Sequence, residues 1–492
     1  MLDARQWFLG ICGLTWLLAF VGCGSGTSST NSSIDRPYRG QQVHLIVPDL
    51  LNLPAHWEVL IPEWSSQSGA TAQFDKYDAT ADLSGQSLPS ADTGGNVLLF
   101  PLRQLCDIDA KINPLNANEF AADARDIFKG LRERVLSRER QLVATPISAP
   151  VLACYYRADL LKAAKRKPPE TWEDYEQLVS SLQEWAPNLV AVEPLSDEFR
   201  ATVFLARSLA FCKHPENYSV WFDLDSGKPT MDLPGFTRTL ELARQTWRHL
   251  TPDSWNMSPA DCRRMILEGK AAITLSYEPN SGRMTELSGS DSAAIQRADG
   301  ITIGVCRLPG SRTVYNRNSK KWDTIPNREV HAPALCGFAG LAGGVIAPSD
   351  ANQDLAASNL LISLTSSGLF EQAITSLPKS PCRESQVTLA ASWFGPDLTS
   401  EEAGQLCDVT AQSLRDTQLV FELPLRGADE FRQAISRSIT LLRPDDSDVA
   451  HVQKVMQQSL EQIVERRGAD AVRDSHRRGL GLSPAMKKDL DR

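Results

Sequence analysis

Few of the residue types that make or break bonds stand at usable spacings in this 492-residue chain. The seven histidines, His44, His56, His214, His249, His331, His451 and His476, are scattered, so no pair is spaced for a metal. Neither G-x-S-x-G nor H-E-x-x-H occurs, which removes the short signatures of esterase and metallopeptidase chemistry. Asp223-Leu-Asp225-Ser-Gly227 has the opening of a calcium loop, but its glycine is one place early and the terminal carboxylate is missing. Gly337, Gly340, Gly343 and Gly344 are followed by no Gly-Lys-Ser/Thr, so close backbone packing suits them better than a phosphate cradle. The cysteines from Cys106 through Cys154, Cys212, Cys262, Cys306, Cys336 and Cys382 to Cys407 are an even set without a C-x-x-C pair. Disulfides and buried free thiols are both open to them. No cofactor and no metal are expected. Paired carboxylates for glycoside hydrolysis need no short motif, so an exported carbohydrate-active hydrolase stands as one alternative.

Any binding chemistry must be positioned by the surrounding elements, and the segment from Pro146 to Leu178 is the most legible of these. Val151 to Tyr156 is an apolar and aromatic run that predicts a buried strand, and Ala158 to Lys165 then has helical spacing. Pro168-Pro169 stops that helix. Thr171 stands at an N-cap position with Asp174 three residues on, and Trp172, Tyr175 and Leu178 share one face of the helix that follows. Elsewhere Gln42 to Val47 and Val97 to Phe100 read as strands, and Pro54 to Ser68 as a helix ending at Gly69. Short continuous apolar runs alternating with helices indicate a mainly parallel sheet covered on both faces. The charged run Leu131 to Gln141 reads as a solvated helix face. Phe204 to Cys212 reads as a buried helix, and Asp225-Ser226-Gly227 as a turn. A helix opens at Asp232-Pro234, and Cys262 to Tyr277 gives a helix, a Gly269 C-cap and a strand.

The wording YYRADL, PPETWEDYEQL and GKAAITLSY resembles the extracellular solute-binding proteins of bacterial ABC importers, family 1, the maltose-binding type. ITIGVCRLPG, LCGFAGLAGGVIAP, the helix from Asp350 to Leu369 and Pro381-Cys382-Arg383 extend the likeness in the expected order, from Gln42 to Glu384. The resemblance implies an α/β, two-lobed periplasmic-binding-protein type II fold, with central mixed sheets and a ligand cleft between the lobes. It places lobe crossings near Thr145 to Pro150, Tyr277 to Asn280 and Pro348 to Asn352. The implied division is lobe 1 at 42–147 and 278–350, and lobe 2 at 148–277 and 351–465 with C-terminal helices. A charged segment at 466–492 reads as disordered.

The N-terminus agrees with that family. Arg5 precedes an apolar run from Trp7 to Val21, too short to span a bilayer, that ends in Phe20-Val21-Gly22-Cys23. Residues 1–22 resemble a lipoprotein signal peptide, Cys23 its lipidation site, and 23–41 a Gly/Ser-type tether. The expectation is an exported protein, lipid-anchored to the cell membrane and facing the periplasm or exterior. A hydrophobic fraction of 42% is ordinary for a globular chain, and a net charge of −9 argues against a nucleic-acid partner.

Sugars present apolar C–H faces flanked by hydroxyls, so a sugar site needs aromatic platforms with Asp, Glu, Asn or Arg partners. At positions matching the family's crossing and loop elements, the resemblance implies Asp49, Trp57, Tyr155, Tyr156, Trp255, Tyr277, Glu278, Trp322 and Arg383, with Tyr156, Tyr277 and Glu278 foremost. Core packing is the competing role for every aromatic in that set, and turn capping for Asp49. The resemblance thus implies capture of a small solute, a sugar or oligosaccharide, for delivery to the membrane subunits of an ABC importer, without catalysis. A ligand-sensing or adaptor lipoprotein on the same fold is the second alternative.

Overall fold

A computed structural model describes residues 36–49, 57–78, 95–109, 111–277, 295–346, 351–365, 380–389, 397–443 and 447–483. Its architecture follows from two sets of strands, the inner ones buried on both faces. In the first set, β1 (Gln42–Pro48) runs parallel to β2 (Thr71–Tyr77) on one side and β3 (Gly95–Pro101) on the other. Every residue of β3 is buried, in keeping with its apolar run Val97–Phe100. A strand from much later in the chain, β15 (Leu341–Ile346), lies antiparallel to β3, to β4 (Ile112–Asn113) and to β7 (Thr145–Ser148). The charged run reads differently from expectation. Its helix stops at Lys129–Arg134, and the chain then doubles back through β5 (Ser137–Arg138) and β6 (Gln141–Leu142). Glu139 and Arg140 take positive φ at that turn, and Arg138 is buried 3.2 Å from Asp109.

The second sheet is β11 (Ile303–Arg307), β8 (Ala153–Arg157), β10 (Ala271–Ser276) and β9 (Val190–Val192), in that order. Only β9 and β10 are parallel; β8 is antiparallel to both of its neighbours. The sheets are therefore mixed rather than mainly parallel. Strands entering from the other lobe are free of the crossover rule that makes βαβ units parallel. The helices Pro259–Leu267 and Ser400–Arg415 cover one face, and the helices Trp172–Ser180, Arg200–Cys212 and Pro234–Trp247 build the core on the other.

Capping decides where several helices begin. Thr171 accepts from the Asp174 amide while the Asp174 carboxylate accepts from the Thr171 amide, and Ser258 and Thr399 make the same reciprocal pair with Asp261 and Glu402. Each cap contributes about 1 kcal/mol. Gly269 takes φ +71° where the helix ending at Leu267 turns into β10. The helix Arg200–Cys212 is buried at every position but its last, as its apolar wording requires. It also carries Arg207, which is fully buried and 2.7 Å from Glu193, with its guanidinium carbon 3.9 Å from the Trp172 ring centre. Trp247 donates to the other Glu193 oxygen at 2.8 Å, so the charge pair is caged by aromatic rings.

Two expected boundaries move. β11 was placed in lobe 1 by the 278–350 boundary, yet it hydrogen-bonds to β8 in the second sheet. The helix Ala351–Thr365 was placed in lobe 2, yet Ala356, Leu360, Leu361 and Leu364 are buried against the first sheet, and Trp64 donates to Asn359 at 2.8 Å. That helix directly follows β15, so a short connection keeps its apolar face on the sheet β15 belongs to. The C-terminal segment is not disordered through 483: helix Ala469–Gly479 buries Val472 and His476, and His476 Nε2 lies 2.7 Å from Ser219 Oγ. Val472 and the imidazole supply an apolar face that the density of surrounding charge conceals. Residues 484–492 lie outside the described residues.

Candidate functional site

Two covalent connections between the sheets can be followed among the described residues. The first runs from β7 to β8 through Ala149–Leu152, as expected. The other lies at Gly337–Gly340 rather than at 348–352. Here β14 (Leu335–Cys336), paired with β16 (Val420–Phe421) on the second-lobe side, leads directly into β15 of the first sheet. The glycines explain the position. Gly337 and Gly340 have φ of +87° and +101°, and an added Cβ would strike the Phe421 ring at one and the Ser148 carbonyl at the other. Close backbone packing is thus their role. Between these connections β10 ends at Ser276 and Tyr277 follows it, beyond which 278–294 lie outside the described residues, Glu278 with them.

Tyr277 is 1% exposed and belongs to the second hydrophobic core, where it packs beside the Gly337–Gly340 connection. Its ring centre lies 5.3 Å from that of Phe338, in the Gly337–Gly340 connection, and 6.4 Å from that of Phe199, which opens the helix Arg200–Cys212. Next to this aromatic wall the first sheet offers the C-terminal ends of β1 and β3, adjacent parallel strands whose chain continues into Asp49 and into Leu102-Arg103. Asp49 is exposed. Ligands of open α/β sheets gather at such strand ends. The Leu102 amide donates to the Gly340 carbonyl at 3.0 Å, and Asp107 accepts from the Gly427 amide at 2.8 Å, which joins the first lobe to the C-terminal part of the second.

Facing those strand ends is a charged cluster that the sequence reading did not single out. Glu422 is fully buried, accepts from Thr202 at 2.5 Å, and is held by Arg432 through bonds of 3.0 and 2.7 Å. Arg432 also pairs with Asp429. Arg103 enters the field of this cluster from the first lobe; burial lowers its pKa, against the opposing pull of Asp429, Glu422 and Asp107. Arginines bracketed by carboxylates present donors and acceptors at fixed angles, the equipment for holding adjacent hydroxyls of a polar ligand. The available signal was positional: Arg103 follows the apolar strand β3 at its C-terminal end. Glu422, Asp429 and Arg432, in ELPLRGADEFR, had no such marker.

The other expected site residues are dispersed. Trp57 and Tyr155, each 1% exposed, belong to the first hydrophobic core. Trp255 is buried at the edge of the second lobe, 5.7 Å from the Trp247 ring and under the Arg200 guanidinium at 5.4 Å. Tyr156 is half-buried on β8, its ring lying where a Gly304 Cβ would be, and burial pushes its phenol up to about 12. Arg383 is fully buried, 2.8 Å from Asp123 and 2.9 Å from Thr145 Oγ1, and so clamps β7 inside the first lobe. Trp322 stands on an outer hairpin of the second lobe, 41% exposed. Cys23 lies outside the described residues. Among the described residues, no three or more His, Cys, Asp or Glu side chains gather as a metal would require, and no helix is long and apolar enough to cross a membrane. All eight described cysteines are thiols.

Two mixed sheets, each with its own helices and joined by short crossing segments, define the fold of the two-lobed solute-binding proteins. Among solved structures, the chain is similar to the sugar-binding protein MalE of Xanthomonas citri (18% identity, TM-score 0.59, 87% of this chain and 98% of that one). It is also similar to the maltose-bound MalE3 of T. maritima (17%, 0.56, 86% and 100%). A third likeness is to a solute-binding protein of an ABC transporter from Agrobacterium radiobacter K84 in complex with ribitol (16%, 0.57, 87% and 100%). No protein-family model matches the chain, and comparison with curated protein sequences gives no match.

Proposed function

We propose that this protein captures a small polyhydroxylated solute, a sugar, oligosaccharide or polyol, between its lobes and hands it to the membrane subunits of an ABC importer. The observation that carries the reading is the charged cluster at the lobe boundary, where Arg103 and Asp107 of the first lobe stand beside Glu422, Asp429 and Arg432 of the second as fixed polar groups. Solved structures of the same fold carry maltose, ribitol and D-mannitol by their descriptions, which supports the ligand class. Asp49 at the neighbouring strand end and Glu278 after Tyr277 complete the proposed binding set. A ligand touching both lobes stabilises the closed arrangement by its differential affinity, and the importer senses that closure. The protein works from the exported side, tethered through a lipid on Cys23 after removal of residues 1–22, and makes no covalent change in its ligand.

A thermal-shift screen against monosaccharides, oligosaccharides and polyols tests this. A ligand at 100 times its Kd adds about 2.7 kcal/mol to stability. Selective shifts that are lost on Arg103→Met support the reading; a folded protein that responds to none of the panel refutes it. One observation favours the sensor or adaptor alternative: the ordered C-terminal helix joins Arg478 to Asp109 of the first lobe at 3.7 Å and His476 to Ser219 of the second at 2.7 Å. Co-purification of importer membrane subunits with the tethered protein decides against that alternative.

A further inference from the structure

We propose that Trp322 and its surroundings form a second carbohydrate site, an outer shelf on the second lobe that holds a segment of a neutral glycan chain. The groove has a volume of about 440 Å³ and is bounded by Trp322, Glu173, Thr237, Arg238 and Glu241, with Phe211 and Pro234 as its floor. No residue of the first lobe lines it, so it is separate from the interlobe surface, and its occupation does not depend on lobe closure.

Packing does not account for Trp322. At 41% exposure it is one of few large apolar side chains left open to solvent among the described residues. It is nevertheless rigidly presented. The hairpin of β12 (Val314–Asn316) and β13 (Lys321–Asp323) places Tyr315 directly opposite Trp322, with ring centres 5.6 Å apart at 66°. Val314 is fully buried beneath it, Asn316 donates to Asp323 at 3.1 Å and to Glu216 at 2.9 Å, and the Arg317 amide donates to Asn217 at 3.2 Å. A side chain held in this way loses little entropy when a ligand covers it.

The rim decides what covers it. Arg238 lies 2.9 Å from Glu173 and 3.8 Å from Glu241, all three well exposed, so donors and acceptors stand together beside one aromatic ring. A protein partner would call for a wider apolar patch. A single aromatic face with a polar rim matches a pyranose instead: the ring stacks its C–H face while hydroxyls reach the carboxylates and guanidinium. Two carboxylates against one guanidinium give the rim a net negative charge, which disfavours uronates and sulfated sugars and leaves neutral glycans.

Native gel electrophoresis of the full chain through gels containing dextran, galactomannan or a soluble mixed-linkage β-glucan tests the proposal, with alginate as the charged control. At least one neutral glycan retards the wild type and alginate does not. Trp322→Ala weakens that retardation at least tenfold, Trp322→Phe restores part of it, and Glu173→Gln with Glu241→Gln weakens it too. Small-sugar thermal shifts stay unchanged in Trp322→Ala, which separates this site from the interlobe one. Retardation by none of the three glycans, equal retardation by alginate, or undiminished retardation of a folded Trp322→Ala protein overturns the proposal. Retardation without any small-sugar thermal shift leaves the shelf standing and removes the interlobe reading.

Discussion

Replacing Arg383 by methionine separates a binding role from a structural one. The guanidinium is fully buried, 2.8 Å from Asp123 and 2.9 Å from Thr145 Oγ1, and reaches the Pro146 carbonyl at 3.3 Å. Asp123 is itself only 8% exposed, so Arg383→Met leaves a carboxylate buried without its cation. Breaking such a pair from one side costs about 3–5 kcal/mol. In a chain of this size that lowers Tm by roughly 5 °C. Arg383→Met with Asp123→Asn removes both charges and should recover a good part of the loss, giving an interaction term of about 1–3 kcal/mol in the double-mutant cycle. Thermal and urea unfolding of the four proteins, each with and without a sugar that shifts the wild type, supply the numbers. If Arg383→Met melts within about a degree of the wild type while the sugar-dependent shift disappears, the clamp argument fails and Arg383 belongs to the binding site after all.

Other outcomes can be checked with the same preparations. Gly340→Ala, at φ +101° with the Ser148 carbonyl in the way of a Cβ, should destabilise by more than about 1 kcal/mol, while Gly404→Ala, inside a helix with open space around it, should stabilise by about 0.5–1 kcal/mol; equal urea midpoints for the two would contradict the backbone reading. Burial holds the His476 pKa down to about 3 and the His331 pKa to about 4. Both stay neutral in the fold while unfolded histidines take up protons below about 6.5, so their contribution to stability is full above that pH and is lost progressively as pH falls towards 4. His476→Gln should flatten part of the fall in urea midpoint between pH 7 and 4.5, and an unchanged slope would refute the assignment. Thiol titration of protein denatured without reductant should find all the cysteines from Cys106 to Cys407 reactive; a deficit of two would point to Cys154 and Cys306, directly opposite each other on β8 and β11.

Local order was largely legible in the sequence because it rests on short-range physics. The Thr171 capping box, the proline stop before it, the Gly269 turn and the buried helix ending at Cys212 each depend on residues within a few positions of one another. Lobe membership was less legible. Strand β11 and the helix Ala351–Thr365 are assigned by pairing and burial against distant segments, which no local pattern encodes. The site divides the same way. Tyr277, Trp57, Tyr155 and Arg383 share their residue types with binding groups but are all buried inside the lobes. Glu422, Asp429 and Arg432 sit in a stretch with no distinctive spacing, and only the fold brings them towards Arg103 and Asp107.

The interlobe contacts also bound what a ligand must supply. Besides the apolar core that the first sheet shares with β8 and the helices Pro259–Leu267 and Ser400–Arg415, the lobes meet through single hydrogen bonds such as that from Gly427 to Asp107, and such bonds contribute only about 0.5–1.5 kcal/mol net. Arg103 is already partly desolvated in this arrangement, so closing without a ligand carries a cost that the nearby carboxylates offset only in part. A solute that offers acceptors to Arg103 and donors to Asp107 or the exposed Asp429 gains most when both lobes are engaged. Two or three such bonds made only in the closed arrangement amount to a few kcal/mol of differential affinity. The full reversal from 1:99 to 99:1 takes about 5.5 kcal/mol, so polar contacts shift the balance but do not complete it. The remainder must come from apolar area that the ligand and the lobes bury on closing.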